Sequence, residues 1–120
     1  MTKTEALYKF FNSFGLTAYP SNSVPDDTVF PWLTYEPTIG NFGDEQLSIT
    51  VNLWYHTDSE AIPNKKVDDI SEAIGMGGVT VPYDDGMIWI TRGTPFCQSL
   101  SDENDASIKR RMLNVNLEYL

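Results

Sequence analysis

The chain has 120 residues, with 8 Lys and Arg against 17 Asp and Glu, a formal net charge of −9, and it is 41% hydrophobic and 12% aromatic. This length suits one domain over residues 1–120, and area scaling gives about 6,500 Å² folded against about 19,600 Å² unfolded, enough burial for a core without staples. Such a composition excludes a disordered chain, and the acidic balance disfavours charge-driven nucleic-acid binding, which needs a basic face that releases counterions.

No apolar run approaches the roughly 20 residues of a membrane helix. The longest is Met87-Ile88-Trp89-Ile90. Met1-Thr2-Lys3-Thr4-Glu5 lacks the apolar stretch of a signal peptide. The expectation is therefore no membrane partner. Cys97 is the only cysteine, so neither an internal disulfide nor a multi-cysteine zinc site is expected.

In chain order, Leu7, Phe10, Phe11 and Phe14 recur at i, i+3, i+4 and i+7, which predicts a helix with one apolar face. Thr2 and Glu5 have capping-box spacing, and Gly15 stands where a left-handed stop belongs. Residues 18–31 read as a polar, Pro-rich connection. Residues 32–36 read as a strand, ending at Pro37 and a long hairpin tip around Gly40-Asn41-Phe42-Gly43-Asp44.

Residues 46–56 give the clearest strand. Ile49, Val51, Leu53 and Tyr55 alternate with Ser48, Thr50, Asn52 and Trp54, as in an antiparallel sheet covered on one side. Asp58 or Ser59 is expected to cap a second helix, with Val67, Ile70 and Ile74 as its buried stripe and Gly75 as its end. Gly75, Gly77 and Gly78 superficially suggest a nucleotide loop. The cluster follows a helix instead of a strand, and Thr80 stands where a third glycine belongs.

Residues 79–82 and 87–91 flank Asp85-Gly86, a hairpin signal because the turn wants positive φ. Residues 96–100 read as a further strand and 101–105 as an acidic loop. Residues 108–119 read as the last strand, with Leu113, Val115, Leu117 and Tyr119 alternating with Asn114, Asn116 and Glu118. The expected fold class is α+β, with a largely antiparallel or mixed sheet and two main helices packed on one face.

The search for chemistry yields little. His56 and Cys97 are the sole members of their types, and a catalytic pair would need them together in space. Surface placement of His56 and packing of Cys97 are the plainer readings. Asp102-Glu103-Asn104-Asp105 departs from a calcium loop, since Ala106 and Ser107 fall where the fifth ligand and the glycine should be. Lys109-Arg110-Arg111 cannot form one basic stripe, because strand neighbours point to opposite faces. It reads either as a solvated turn or as the complement of the acidic loop on a self-associating surface. Trp54 and Trp89 sit on the polar sides of their strands. They call for an interface partner, for packing against each other, or for a covering loop.

Phe30-Pro31-Trp32-Leu33-Thr34-Tyr35 lies on an early strand, Val51-Asn52-Leu53-Trp54-Tyr55 runs into Ser59-Glu60-Ala61, and Arg92-Gly93-Thr94-Pro95-Phe96 precedes the acidic loop. Ile108-Lys109-Arg110-Arg111 then leads to a last strand that closes on Glu118-Tyr119-Leu120. In these motifs and their order the chain resembles the small tail-terminator (tail-completion) proteins of long-tailed bacteriophages and prophages. The likeness covers nearly the whole chain as a pattern of weak motifs. The resemblance implies a ring, usually a hexamer, at the head-proximal end of the tail tube in the virion, made in the host cytoplasm. The ring stops tube elongation and offers a joining surface for the head. It implies three partners, namely further copies of the chain, the tail tube protein and the head–tail connector protein, with no cofactor and no catalysis.

An acidic lumen would pass DNA without holding it. For the interface, the candidates are Trp54, Trp89, Ile39, Phe42, Asp44, Asp102, Glu103, Arg110 and Arg111. The alternatives are another neck or connector component, or a small ligand-binding domain or enzyme using His56 and Cys97.

Overall fold

A computed structural model describes all 120 residues. Helix α1, Lys3–Phe11, opens on the expected capping box: the Glu5 N–H donates to Thr2 Oγ1 at 3.1 Å, and Glu5 Oε1 accepts from the Thr2 N–H. A 3-10 turn, Asn12–Phe14, continues it to Gly15, whose φ is 83°. Strand β1, Thr17–Pro20, follows, within the stretch read as irregular. Its four residues are too few for an alternation to register in the sequence, and Pro20 disguises it.

Strands β2, Trp32–Tyr35, and β3, Leu47–His56, pair antiparallel, as expected. Helix α2, Ala61–Ile74, begins after Glu60, which makes no capping hydrogen bond. This corrects the cap expected at Asp58 or Ser59. The Ser59 N–H donates to Thr57 Oγ1 at 3.1 Å in a local turn, and the Glu60 carboxylate is drawn to Arg111. Pro63 falls among the first helical N–H positions, which have no intrahelical acceptor.

Strands β4, Val79–Tyr83, β5, Gly86–Ser101, and β6, Ile108–Tyr119, complete a six-stranded sheet in the order β1-β2-β3-β6-β5-β4. Only β1 and β2 are parallel. The two strands expected around Gly93 are one long β5, with its register shifted between Arg92 and Cys97. The fold is thus α+β with a mixed sheet, as the sequence pattern indicates.

One face of this sheet carries the core. Leu33, Tyr35, Ile49, Val51, Leu53, Tyr55, Ile88, Ile90, Leu113, Val115, Leu117 and Tyr119 are buried there against Ala6, Leu7 and Phe11 of α1 and Ile70 and Ile74 of α2. Helix α1 touches β1 and β4, which are opposite edges of the sheet. Five interstrand spacings of about 4.8 Å would hold flat edges roughly 24 Å apart, about twice the diameter of a helix. The sheet is therefore curled around α1, with its core face concave and its other face convex.

Both edges are blunted. Asn12 Oδ1 accepts from the Ala18 N–H at 3.0 Å, which occupies the outer side of β1. Pro82 removes a donor from the outer side of β4, since Met87, its cross-strand neighbour, turns its own N–H and C=O to Leu120.

The turn between β4 and β5 corrects the reason expected for its glycine. Asp84 and Asp85 form the loop, no non-glycine residue has positive φ, and Gly86 is not among the positive-φ glycines. Gly86 is required by close approach instead: a Cβ there would lie 2.0 Å from the Leu120 carbonyl oxygen. Gly86→Ala is expected to cost about 1–3 kcal/mol through overpacking. Gly77→Ala, where a Cβ meets nothing within 4 Å, should stay within about 0.5 kcal/mol of the parent. Urea unfolding of the two variants checks both.

Candidate interaction surface

The convex face is assembled by the strand register. Trp32 of β2 lies opposite Trp54 of β3, which lies opposite Arg110 of β6, which lies opposite Leu100 of β5. The two indoles stack, with ring centroids 5.3 Å apart and planes 13° from parallel. The Arg110 guanidinium sits over the Trp54 ring at 5.3 Å. Trp54 Nε1 donates to Thr34 Oγ1 at 3.2 Å, which fixes the indole. Tyr19 and Phe30 extend the aromatic cluster around Trp32, and the Phe30 ring lies 5.6 Å from His56.

Beyond that row the face is polar but poor in charge. It presents Thr50, Asn52, Met112, Asn114, Asn116, Ser48 and Thr91, and only Arg110 and Glu118 among its strand residues are formally charged. Asn52 Oδ1 is a shielded acceptor with no donor. Neither helix covers this face.

The structure brings four of the nine predicted residues together. Trp54, Asp102, Glu103 and Arg110, with Ser101 and Ile108, line one cleft of about 280 Å³. The acidic loop is self-braced: Asp102 Oδ1 accepts from the N–H groups of Asn104 and Asp105, and Asp105 Oδ1 accepts from Ser107. Those Ser107 hydrogen bonds hold the Asp105 carboxyl below the usual aspartate range.

The other five lie elsewhere. Ile39, Phe42 and Asp44 sit on the loop between β2 and β3, at the opposite end of β3 from Trp54, with Phe42 81% exposed. Trp89 faces the same side as Trp54 but is placed eight residues further along β6, about 27 Å at 3.4 Å per residue. Its Nε1 donates to the Gly77 carbonyl at 3.0 Å, so the loop before β4 lies against it. The two tryptophans therefore do not pair.

Arg111 is corrected from a surface residue to a buried one. Only 1% exposed, it points to the helix-covered face, where Nε donates to Asn64 Oδ1 at 3.0 Å and the guanidinium pairs with Glu60. Lys109, two residues earlier on the same face, also pairs with Glu60 at 3.6 Å. Strand alternation sends Arg110 out and its two basic neighbours in. Sequence reasoning missed Trp32 and Phe30 as members of the platform. Their spacing in Phe30-Pro31-Trp32 carried the signal, but only the register supplies Trp54 as a neighbour.

His56 and Cys97 do not meet. His56 lies on the convex face opposite Ile108, whereas Cys97 lies on the core side opposite Leu113. Burial pushes the Cys97 thiol up, against a smaller lowering by Arg111. No three His, Cys, Asp or Glu side chains converge to hold a metal.

Arg111 hydrogen bonding holds the Glu60 carboxyl below its ordinary range, and Lys109 adds to this. A carboxyl depressed on folding adds stability above its unfolded pKa, and that stability is lost as the pH falls through its folded pKa. Glu60→Gln should therefore be less stable at neutral pH, and the gap from the parent should close as the pH drops below the glutamate range. Denaturant titrations across pH measure it. Cys97 should alkylate more slowly with iodoacetamide at pH 7 than a free cysteine does, and a faster rate would revive a nucleophilic role.

No family model matches this chain, and no curated protein or solved structure matches it.

Proposed function

We propose that this protein is a structural subunit of a long-tailed phage or prophage, a tail terminator that closes into a ring at the head-proximal end of the tail tube. Its partners in this reading are further copies of itself, the tail tube protein and the head–tail connector protein. The ring stops elongation and forms the surface on which the head joins. It acts by shape, with no cofactor and no bond chemistry.

One observation carries the reading: the convex sheet face is left bare by both helices and presents Trp32 and Trp54 stacked under Arg110. Interface cores are depleted in charge and enriched in aromatics, Met and Arg. This face has that composition in a chain with 25 formally charged side chains. The Phe42 loop at the other end of β3 supplies a second exposed region. Two unlike surfaces are what a head-to-tail contact requires in order to close a ring by rotation. The order of elements and the motifs of the tail-terminator resemblance point the same way, and the net charge of −9 suits a channel that DNA traverses without adhering.

Arg110→Glu tests this reading. An exposed cation–π contact contributes about 0.5–1 kcal/mol, so the variant should fold with nearly parental stability. It should fail to form rings when mixed with terminator-deficient tails and viewed by electron microscopy. Capping of such tails by the parent protein separates a terminator from other neck components, which would leave the tails uncapped.

A further inference from the structure

An apolar groove of about 210 Å³ runs between α1 and the edge strand β4, lined by Met1, Ala6, Phe10, Val81 and Pro82, with Lys9 and Ser13 at its sides. A cavity of about 150 Å³ accommodates benzene, so a phenyl ring fits here. Phe10 stands edge-on to Phe11 and Phe14, with both centroids at 5.2 Å, which gives an incoming ring an aromatic wall. Pro82 weakens the edge as a site for an added strand, and this favours a side-chain knob as the occupant.

The chain also presents such a knob. Phe42 is 81% exposed on a turn closed by its flanking residues. The Asp44 N–H donates to the Asn41 carbonyl at 3.0 Å, the Asn41 N–H donates to Asp44 Oδ2 at 2.7 Å, and Gly43 takes φ 87°. Lys3 donates to Asn41 Oδ1 at 3.1 Å and ties the turn to the N-terminal end of α1, where its Nζ also lies over the Tyr83 and Tyr119 rings. The groove runs further along the helix, beside Ala6, Lys9, Phe10 and Ser13, against Val81 and Pro82 of β4.

The charges match across these two sites. Lys9, beside the groove, is the one Lys or Arg without a hydrogen-bond, ion-pair or aromatic partner. Lys3, Lys65, Lys66, Arg92, Lys109, Arg110 and Arg111 each have one. The turn that bears Phe42 is followed by the acidic pair Asp44-Glu45, and Glu45 has no ion-pair partner.

We infer that the groove receives Phe42 of a second copy of this chain, with Lys9 meeting the acidic end of that copy's turn. The contact is heterologous: each copy offers a knob on the loop between β2 and β3 and a groove between α1 and β4. It rests on the ring reading above, in which it is one joint between neighbours.

The test uses the full chain in a Cys97→Ser background under mild oxidation at high protein concentration. Glu45→Cys, which leaves Phe42 in place, combined with Ser13→Cys should give a ladder of disulfide-linked multimers. An equal mixture of the two single variants should stop at dimers. Phe42→Ala should weaken association by roughly tenfold or more, as loss of a buried aromatic anchor does. Lys9→Glu should weaken it too, and more at low salt than at high salt.

Absence of intermolecular cross-links from the double variant overturns the proposal, as does equally efficient dimerisation of Glu45→Cys alone, which would signal a symmetric turn-to-turn contact. The ring reading fails separately. A double variant that cross-links as expected, with parent protein that leaves tails uncapped, would remove the terminator assignment and keep the joint. Rings that form on tails without this cross-link would do the reverse.

Discussion

The curl of the sheet around α1 is the constraint on which the rest of the molecule depends. A nine-residue helix cannot by itself bury the concave face of six strands. It succeeds because the two edges bend toward it, so that Leu7 and Phe11 meet Tyr35 and the core on one side while Ala6 and Phe10 meet β4 on the other. Helix α2 closes the remaining part against β5 and β6, and Lys66 bonds the Phe14 carbonyl to lock the helical layer together. The same curl produces the outer surface: with both helices inside, no helix lies over the convex face, and the Gly77 loop reaches it only at Trp89.

That division into inside and outside explains an apparent oddity of charge. The basic run of β6 is split by the pleat. Arg111 and Lys109 go under α2 and share the one Glu60 carboxylate, with Asn64 taking a further guanidinium donor. A buried cation without its carboxylate is costly, so this cluster pins the start of α2 to the start of β6. Arg110, between them, is left outside and settles on Trp54. One sequence motif thus supplies a structural anchor and a surface group, and only the latter is available to a partner.

The Trp32–Trp54–Arg110 row and the Phe42 turn stand at opposite ends of β3, and the α1–β4 groove opens on a third side. A subunit with distinct, unlike contact regions suits head-to-tail association better than a symmetric dimer, which would use one patch against itself. Blunting of both sheet edges by Asn12 and Pro82 works in the same direction: it disfavours strand-to-strand association and leaves side-chain contacts to decide how copies meet.

Local patterns in the sequence were enough to determine the capping box of α1, the alternation of β3 and β6, the stripe of α2 and the α+β class, because those signals depend on periods of 2 and 3.6 along the chain. Strand β1 was illegible because four residues ending in proline carry no period, and the reason for Gly86 was hidden because the Leu120 carbonyl that crowds it lies on another strand. The candidate surface was half legible. Trp54, Arg110, Asp102 and Glu103 could be named from polarity and charge, and alternation already separated Arg110 from its neighbours. That Trp32 would stack on Trp54 and that Trp89 would be taken by the Gly77 loop were decided by register and curl. Those are properties of contacts between residues far apart in the chain, and a one-dimensional pattern does not encode them.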